Sequence, residues 1–209
     1  AEITKSPEIG HYNAIFLTNI LDIAHEDVNE SVRRANQQGA FVFWNHPGWR
    51  VPPEQPIVRP HHEQMLASNW LHGIELWNDD TPYTNVWPWV MGTKLTWLGN
   101  SDYHRPIDSP TPHHANHRTL TLVFARERSL PALHEALKEG RTLIWSGNVL
   151  AGRREWLEPF LAACLRLDPP HLRDPKRAVV QLRNLSDVPF ELVLSHGPGP
   201  ATISMPAGG

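Results

Sequence analysis

The sequence predicts an α/β fold organised on a parallel sheet or barrel, and three observations predict it. Short apolar, aromatic or β-branched runs recur along the chain, amphipathic helical patterns separate several of them, and residues able to bind metal stand directly after several runs. The runs are AIFL (14–17), FVFW (41–44), GIELW (73–77), LTWL (95–98), LTLVF (120–124) and TLIW (142–145). Most are too short and too apolar for anything but buried strands.

Between the second and third observations lie the helices. EDVNESVRRANQQG sets Val28, Val32 and Ala35 on one face and stops at Gly39. SLPALHEALKEG starts at Ser129 as N-cap, carries Pro131 in its first turn and ends at Gly140, with Leu133, Ala136 and Leu137 as its inward stripe. REWLEPFLAACLRL reads as a further helix with Pro159 near its start. After LDPPHLRDPKR the texture changes, and AVVQLRN and PFELVLS read as a β-hairpin, with the closing HGPGPATISMPAGG a further strand or a tail. The expected organisation is a main domain over residues 1–167, a linker over 168–175 and a small β segment over 176–209.

Composition narrows the function classes. With 209 residues, 40% hydrophobic and 20% charged, the chain has the content of a soluble globular protein. A net charge of −3 offers no basic field for bulk nucleic-acid binding. No stretch reaches the length of a membrane span, and the start AEIT shows neither the basic nor the apolar region of a signal peptide. The compartment is left open between the bacterial cytoplasm and, if an upstream signal was removed, the periplasm or the outside of the cell. The single cysteine, Cys164, can close no internal disulfide.

Reactive groups in α/β sheets and barrels collect where the strands end, because the following loops open on one face. FVFW runs into Asn45-His46-Pro47, LTWL into Gly99-Asn100-Ser101-Asp102-Tyr103-His104, and GIELW into Asn78-Asp79-Asp80; His11 stands just before YNAIFL, and Glu2 precedes Ile3-Thr4. Carboxylates and imidazoles arriving separately at one rim are the donor set of a zinc, manganese or iron site. Taken alone, an Asp-x-His pair, His11 or His46 is more often structural. His25, His61, His62 and His134 sit in helical patterns and are expected to face solvent. His113, His114 and His117 fall in the Pro-rich loop SPTPHHANH, and the nine tryptophans are mostly core, Trp49 in HPGW being the exception beside His46.

The ordered set AEIT, GHYNAIFL, FWNHPGW, GIELWN and LGNSDYH resembles the PHP superfamily, the polymerase and histidinol phosphatase family, over roughly residues 1–160. The resemblance implies a distorted (β/α)7 barrel, of which this chain would supply the C-terminal portion followed by a small β segment. It further implies two or three divalent metal ions (Zn, Mn or Fe) at the barrel rim and hydrolysis of a small phosphoester substrate by water that the metals activate. Carried over motif by motif, the metal ligands are Glu2, which would bridge ions, with His11, His46, Asp102 and His104. Arg105 would contact the phosphate, and Asn78 and Trp49 would wall the pocket. The family's opening His-x-His strand and its second strand ending in Asp-His correspond to no segment here. On that ground the 209 residues alone are expected to bind metal weakly and to show little or no catalysis. Two alternatives accompany this reading: a metal-dependent hydrolase of carbamate or amide-type bonds, and a noncatalytic binding module derived from the PHP fold.

Overall fold

The computed structural model describes residues 1–52, 55–104, 106 and 117–208. Two compact units divide the chain, Ala1–Gly152 and Arg153–Gly209.

In the first unit, β1 (Glu2–Thr4), β2 (His11–Ile15), β3 (Phe41–Asn45), β4 (Gly73–Asn78), β5 (Thr81–Pro82) and β6 (Thr96–Asn100) form one sheet, and helices α1 (Val28–Gln37), α2 (Pro60–Ala67) and α3 (Trp87–Val90) are interspersed among them. The sheet is mixed. β3, β4 and β6 run parallel, whereas β1 pairs antiparallel with β2, and β2 antiparallel with β3. β5 is a short antiparallel addition to the end of β4. A second, three-stranded antiparallel sheet joins β7 (Leu120–Val123), β8 (Thr142–Ser146) and β9 (Val149–Gly152), with α4 (Leu130–Lys138) between β7 and β8.

Each element follows from its residues. Asp27 caps α1 by accepting from the Asn29 N–H at 2.8 Å, and Val28, Val32 and Ala35 are buried from the one face they share. Ser129 caps α4 by accepting from the Ala132 N–H at 3.3 Å, and Pro131 stands in its first turn, where its missing N–H has no helical partner to lose. β3 is buried along its whole length, while β2 alternates, hiding Tyr12 and Ala14 and turning His11, Asn13 and Ile15 to the other face. The core gathers Tyr12, Val32, Val42, Trp44, Met65, Ile74 and Leu76. Side chains tie the two sheets together: the Thr142 hydroxyl donates to the Trp97 carbonyl at 2.8 Å, and the Gly99 N–H donates to the Thr121 hydroxyl at 3.0 Å. Gly99 permits this approach, since a Cβ there would collide with the Ile144 side chain.

Three sequence expectations change. Among the described residues the strands do not close into a barrel; the unit is a mixed α/β arrangement with a parallel segment. His62, expected at the surface, is 1% exposed and stacks on Trp44 with ring centroids 3.8 Å apart, because its helix turns that face inward. The expected C-terminal hairpin is also replaced. In the second unit, α5 (Arg154–Cys164) leads into β10 (Leu165–Leu167), β11 (Leu172–Arg173), β12 (Ala178–Val179), β13 (Leu182–Asn184), β14 (Phe190–Val193) and β15 (Thr202–Met205). β13 pairs with β10, and β14 pairs with β15, so the two halves of the expected hairpin have different partners. Asn184 fixes the turn that separates them: its amide donates to the Val188 and Pro206 carbonyls, and its oxygen accepts from the Ser186 N–H.

Candidate metal centre

The antiparallel pairing of β2 with β3 places the start of one strand beside the end of the other, His11 opposite Asn45. His46, the next residue, therefore arrives at the same rim as His11. β1 adds the third group. Thr4 lies opposite His11 and Glu2 opposite Asn13, so the Glu2 and His11 side chains are diagonal neighbours on one face. One ligand atom from each of Glu2, His11 and His46 falls within 4.8 Å of the others.

The local hydrogen bonds state what this group needs. His11 Nε2 lies 3.1 Å from the Lys5 carbonyl, which can only accept, so Nε2 carries a proton and Nδ1 is the ring atom left for other partners. Nδ1 faces a Glu2 carboxylate oxygen at 3.0 Å. Two electron-pair donors at this distance need a positive centre between them, a proton or a metal ion. The carbonyl that fixes the tautomer is the outer support that metal-binding histidines ordinarily carry. His46 is 8% exposed, and burial lowers its pKa, an effect that the nearby Asp102 carboxylate opposes; the ring is held neutral and its lone pair is free to ligate. With Pro7, Gly10, Trp44, Gly48 and Trp49, the two imidazoles line a recess of about 10 Å³, the space of one water or one bare ion. The recess is lined by the two imidazoles and not by Glu2; it is the proximity of two nitrogen donors and one carboxylate that fits a divalent transition metal.

The other expected site residues lie as follows. Asp102 acts electrostatically on His46, and its carboxylate is 3.1 Å from His104 Nε2, so these two pair with each other and lie outside the three-residue group. The His104 side chain is 80% exposed. Asn78 donates to Glu75 at 2.9 Å and so faces the interior. Trp49 is 40% exposed and packs against both imidazoles, with centroids 5.4 Å from His11 and 5.3 Å from His46. Arg105 lies outside the described residues, as do His113 and His114. Backbone strain collects here: His46 and Asp102 have φ of 29° and 48°, a region that residues other than glycine seldom enter.

One residue that the motif reading passed over stands beneath the site. Glu75, on β4 and 2% exposed, accepts from the His46 N–H at 2.6 Å, from the Asn78 amide at 2.9 Å and from the Asn100 amide at 2.8 Å. Burial pushes its pKa up to about 7, and these three hydrogen bonds pull against the rise. The signal was present in GIELW, where a lone carboxylate interrupts an otherwise apolar buried strand.

No protein-family model matches the chain, and no curated protein matches it either. A solved structure does. Over 100% of this chain, with 31% sequence identity and a TM-score of 0.86, the fold matches a protein from Bacteroides vulgatus described as a two-domain protein containing a predicted PHP-like metal-dependent phosphoesterase. The chain is similar along its whole length to a PHP-like protein. It spans 62% of that protein. The likeness to a PHP-like protein and the Glu2–His11–His46 group rest on separate observations, one of the backbone path and one of side-chain donors.

Proposed function

We propose that Glu2, His11 and His46 belong to a divalent-metal centre of a phosphoesterase acting on a small phosphorylated substrate. The convergence of these three donors from two strands and a strand end carries the reading; the likeness to a PHP-like metal-dependent phosphoesterase supports it. In this proposal the chain is the C-terminal portion of a distorted (β/α)7 barrel followed by a small β segment. Glu2, with two carboxylate oxygens, would bridge ions, and His11 would ligate through Nδ1. His46 is a nitrogen ligand that burial keeps unprotonated. Asp102 and His104, on the loop after β6, are the further ligands. The centre takes two or three ions of zinc, manganese or iron, which when bound bring the pKa of water down towards about 7 and offset phosphoryl charge. Glu75 fixes the His46 loop and, through Asn100, the end of the strand that leads to Asp102.

The test is metal-dependent capture of phosphate. The manganese-loaded chain is expected to bind inorganic phosphate and to lose it when EDTA is added. A chain that takes up manganese and gains no affinity for phosphate would contradict the proposal. Turnover of an aryl carbamate, with none of p-nitrophenyl phosphate, would contradict it too and favour the carbamate alternative.

A further inference from the structure

The recess between His11 and His46 has room for an ion and not for an ester. Whatever reacts there must therefore lie across the rim, and the described part of that rim includes Trp49 and Arg50. The loop that carries them is tightly fixed. His46, Gly48 and Arg50 have φ of 29°, 84° and 57°, the Trp49 N–H donates to the His46 carbonyl at 3.0 Å, and the Val51 N–H donates to the Gly48 carbonyl at 3.1 Å. Gly48 is required in this turn, because its φ disfavours a side chain and a Cβ would come within 2.9 Å of Ile57. The result is a Trp49 ring against both imidazoles and an Arg50 guanidinium over that ring, its Cζ 4.3 Å from the centroid. The same indole thus contacts both the guanidinium and the two proposed histidine ligands. Both residues are exposed, and Arg50 makes no ion pair among the described residues.

We infer that Arg50, carried on Trp49, is the specificity-determining side chain that receives the anionic group of the substrate at the mouth of the metal centre. An arginine that only decorates a surface has no need of a left-handed backbone and a ring to stand on. Here both fix a planar, permanently charged fork beside the metal recess with its hydrogen-bond donors uncommitted. A phosphomonoester satisfies that fork with two or three charged oxygens, and a neutral carbamate or carboxylic ester does not. The inference rests on the phosphoesterase reading of the site and deepens it by naming what selects a phosphorylated substrate.

The experiment compares the full chain with Arg50→Ala, Arg50→Lys and Trp49→Leu, each loaded with manganese and titrated with phenyl phosphate and, separately, with neutral phenyl carbamate. Manganese uptake is measured in its own titration. Arg50→Ala is expected to take up manganese like the wild type and to bind phenyl phosphate about 10-fold more weakly or worse, with no change towards phenyl carbamate. Arg50→Lys should fall between, because an ammonium lacks the fork, and Trp49→Leu should weaken phenyl phosphate although the guanidinium remains. Equal phenyl phosphate affinity in wild type and Arg50→Ala would overturn the inference and leave the metal centre standing. Should the wild type take up no manganese, the metal reading falls. The same comparison without metal then decides the arginine: a loss in Arg50→Ala supports its role, and equality overturns it.

Discussion

Glu75 joins three strand ends, two of which lead to proposed ligands: His46 after β3 and Asn100 on β6, with Asn78 on β4 the third. Removing its side chain would leave a backbone N–H and two amides without their acceptor in a buried place, each such loss costing about 1–3 kcal/mol. Glu75→Ala is therefore expected to lower unfolding free energy by about 3 kcal/mol or more, read by urea denaturation. Glu75→Gln should cost less, because one oxygen remains to accept from His46 and an amide flip of Asn100 can accept from the new donor. Equal losses in the two variants would show that the hydrogen-bond geometry matters less than this account requires. At this scale the sequence was informative where motifs carried chemistry: of the five residues put forward as ligands, Glu2, His11 and His46 come together at one rim, whereas Asp102 and His104 pair with each other. It was silent on Glu75, whose role depends on which strands lie on either side of β4, and no local pattern encodes that. It misplaced His62, expected at the surface and buried here, whose neighbour in sequence, His61, is only half-buried and donates to the Ile9 carbonyl at 2.9 Å.

The elements themselves were largely legible. FVFW, GIELW and TLIW lie in strands, LTWL and LTLVF do so to within a residue, and AIFL only through Ala14 and Ile15, since short apolar runs between turn signals have few other places to go. α1 and α4 begin where Asp27 and Ser129 can cap them. Asp27→Ala should lower stability by about 1 kcal/mol, a change measurable as a drop in the urea midpoint with no change in slope; an unaltered midpoint would remove the cap from the account. Pairing was less legible than element type. Alternation of strand and helix suggested parallel neighbours throughout, yet β2 and β3 are antiparallel across α1, and that reversal is what brings His11 to His46. The C-terminal strands show the same limit: β13 and β14 were foreseeable, but the choice of β10 and β15 as partners depends on contacts distant in sequence.

For the molecule as a whole, two buried imidazoles govern the response to acid. His62 accepts from the Arg59 N–H through Nδ1, and burial lowers its pKa to about 2; His72 accepts from the Val42 N–H, and burial with the neighbouring Lys138 lowers its pKa to about 4. Both folded values lie below the unfolded value of about 6.5, so the unfolded chain binds more protons, and stability present above that pH is lost as pH falls. Glu75 opposes the trend, because its raised pKa makes acidification from about 7 towards its unfolded value favourable to the fold. His46, His61 and His134, whose pKa values burial also lowers, act in the same direction as His62 and His72, so the metal-free chain should lose stability as pH falls below about 6.5, by about 1.4 kcal/mol per pH unit for each net proton taken up on unfolding. Urea titrations from pH 7 to 4 read this directly. His62→Gln, which retains an acceptor for Arg59, should flatten the profile, and an unchanged profile would contradict the assignment. No helix among the described residues is long and apolar enough to cross a membrane. The central claim is tested most directly by calorimetric titration of the chain with zinc at neutral pH, beside His11→Ala and His46→Ala. The account predicts saturable binding that weakens at least 10-fold in each variant while the fold, followed by circular dichroism, is retained; zinc binding of equal strength in all three proteins would contradict it.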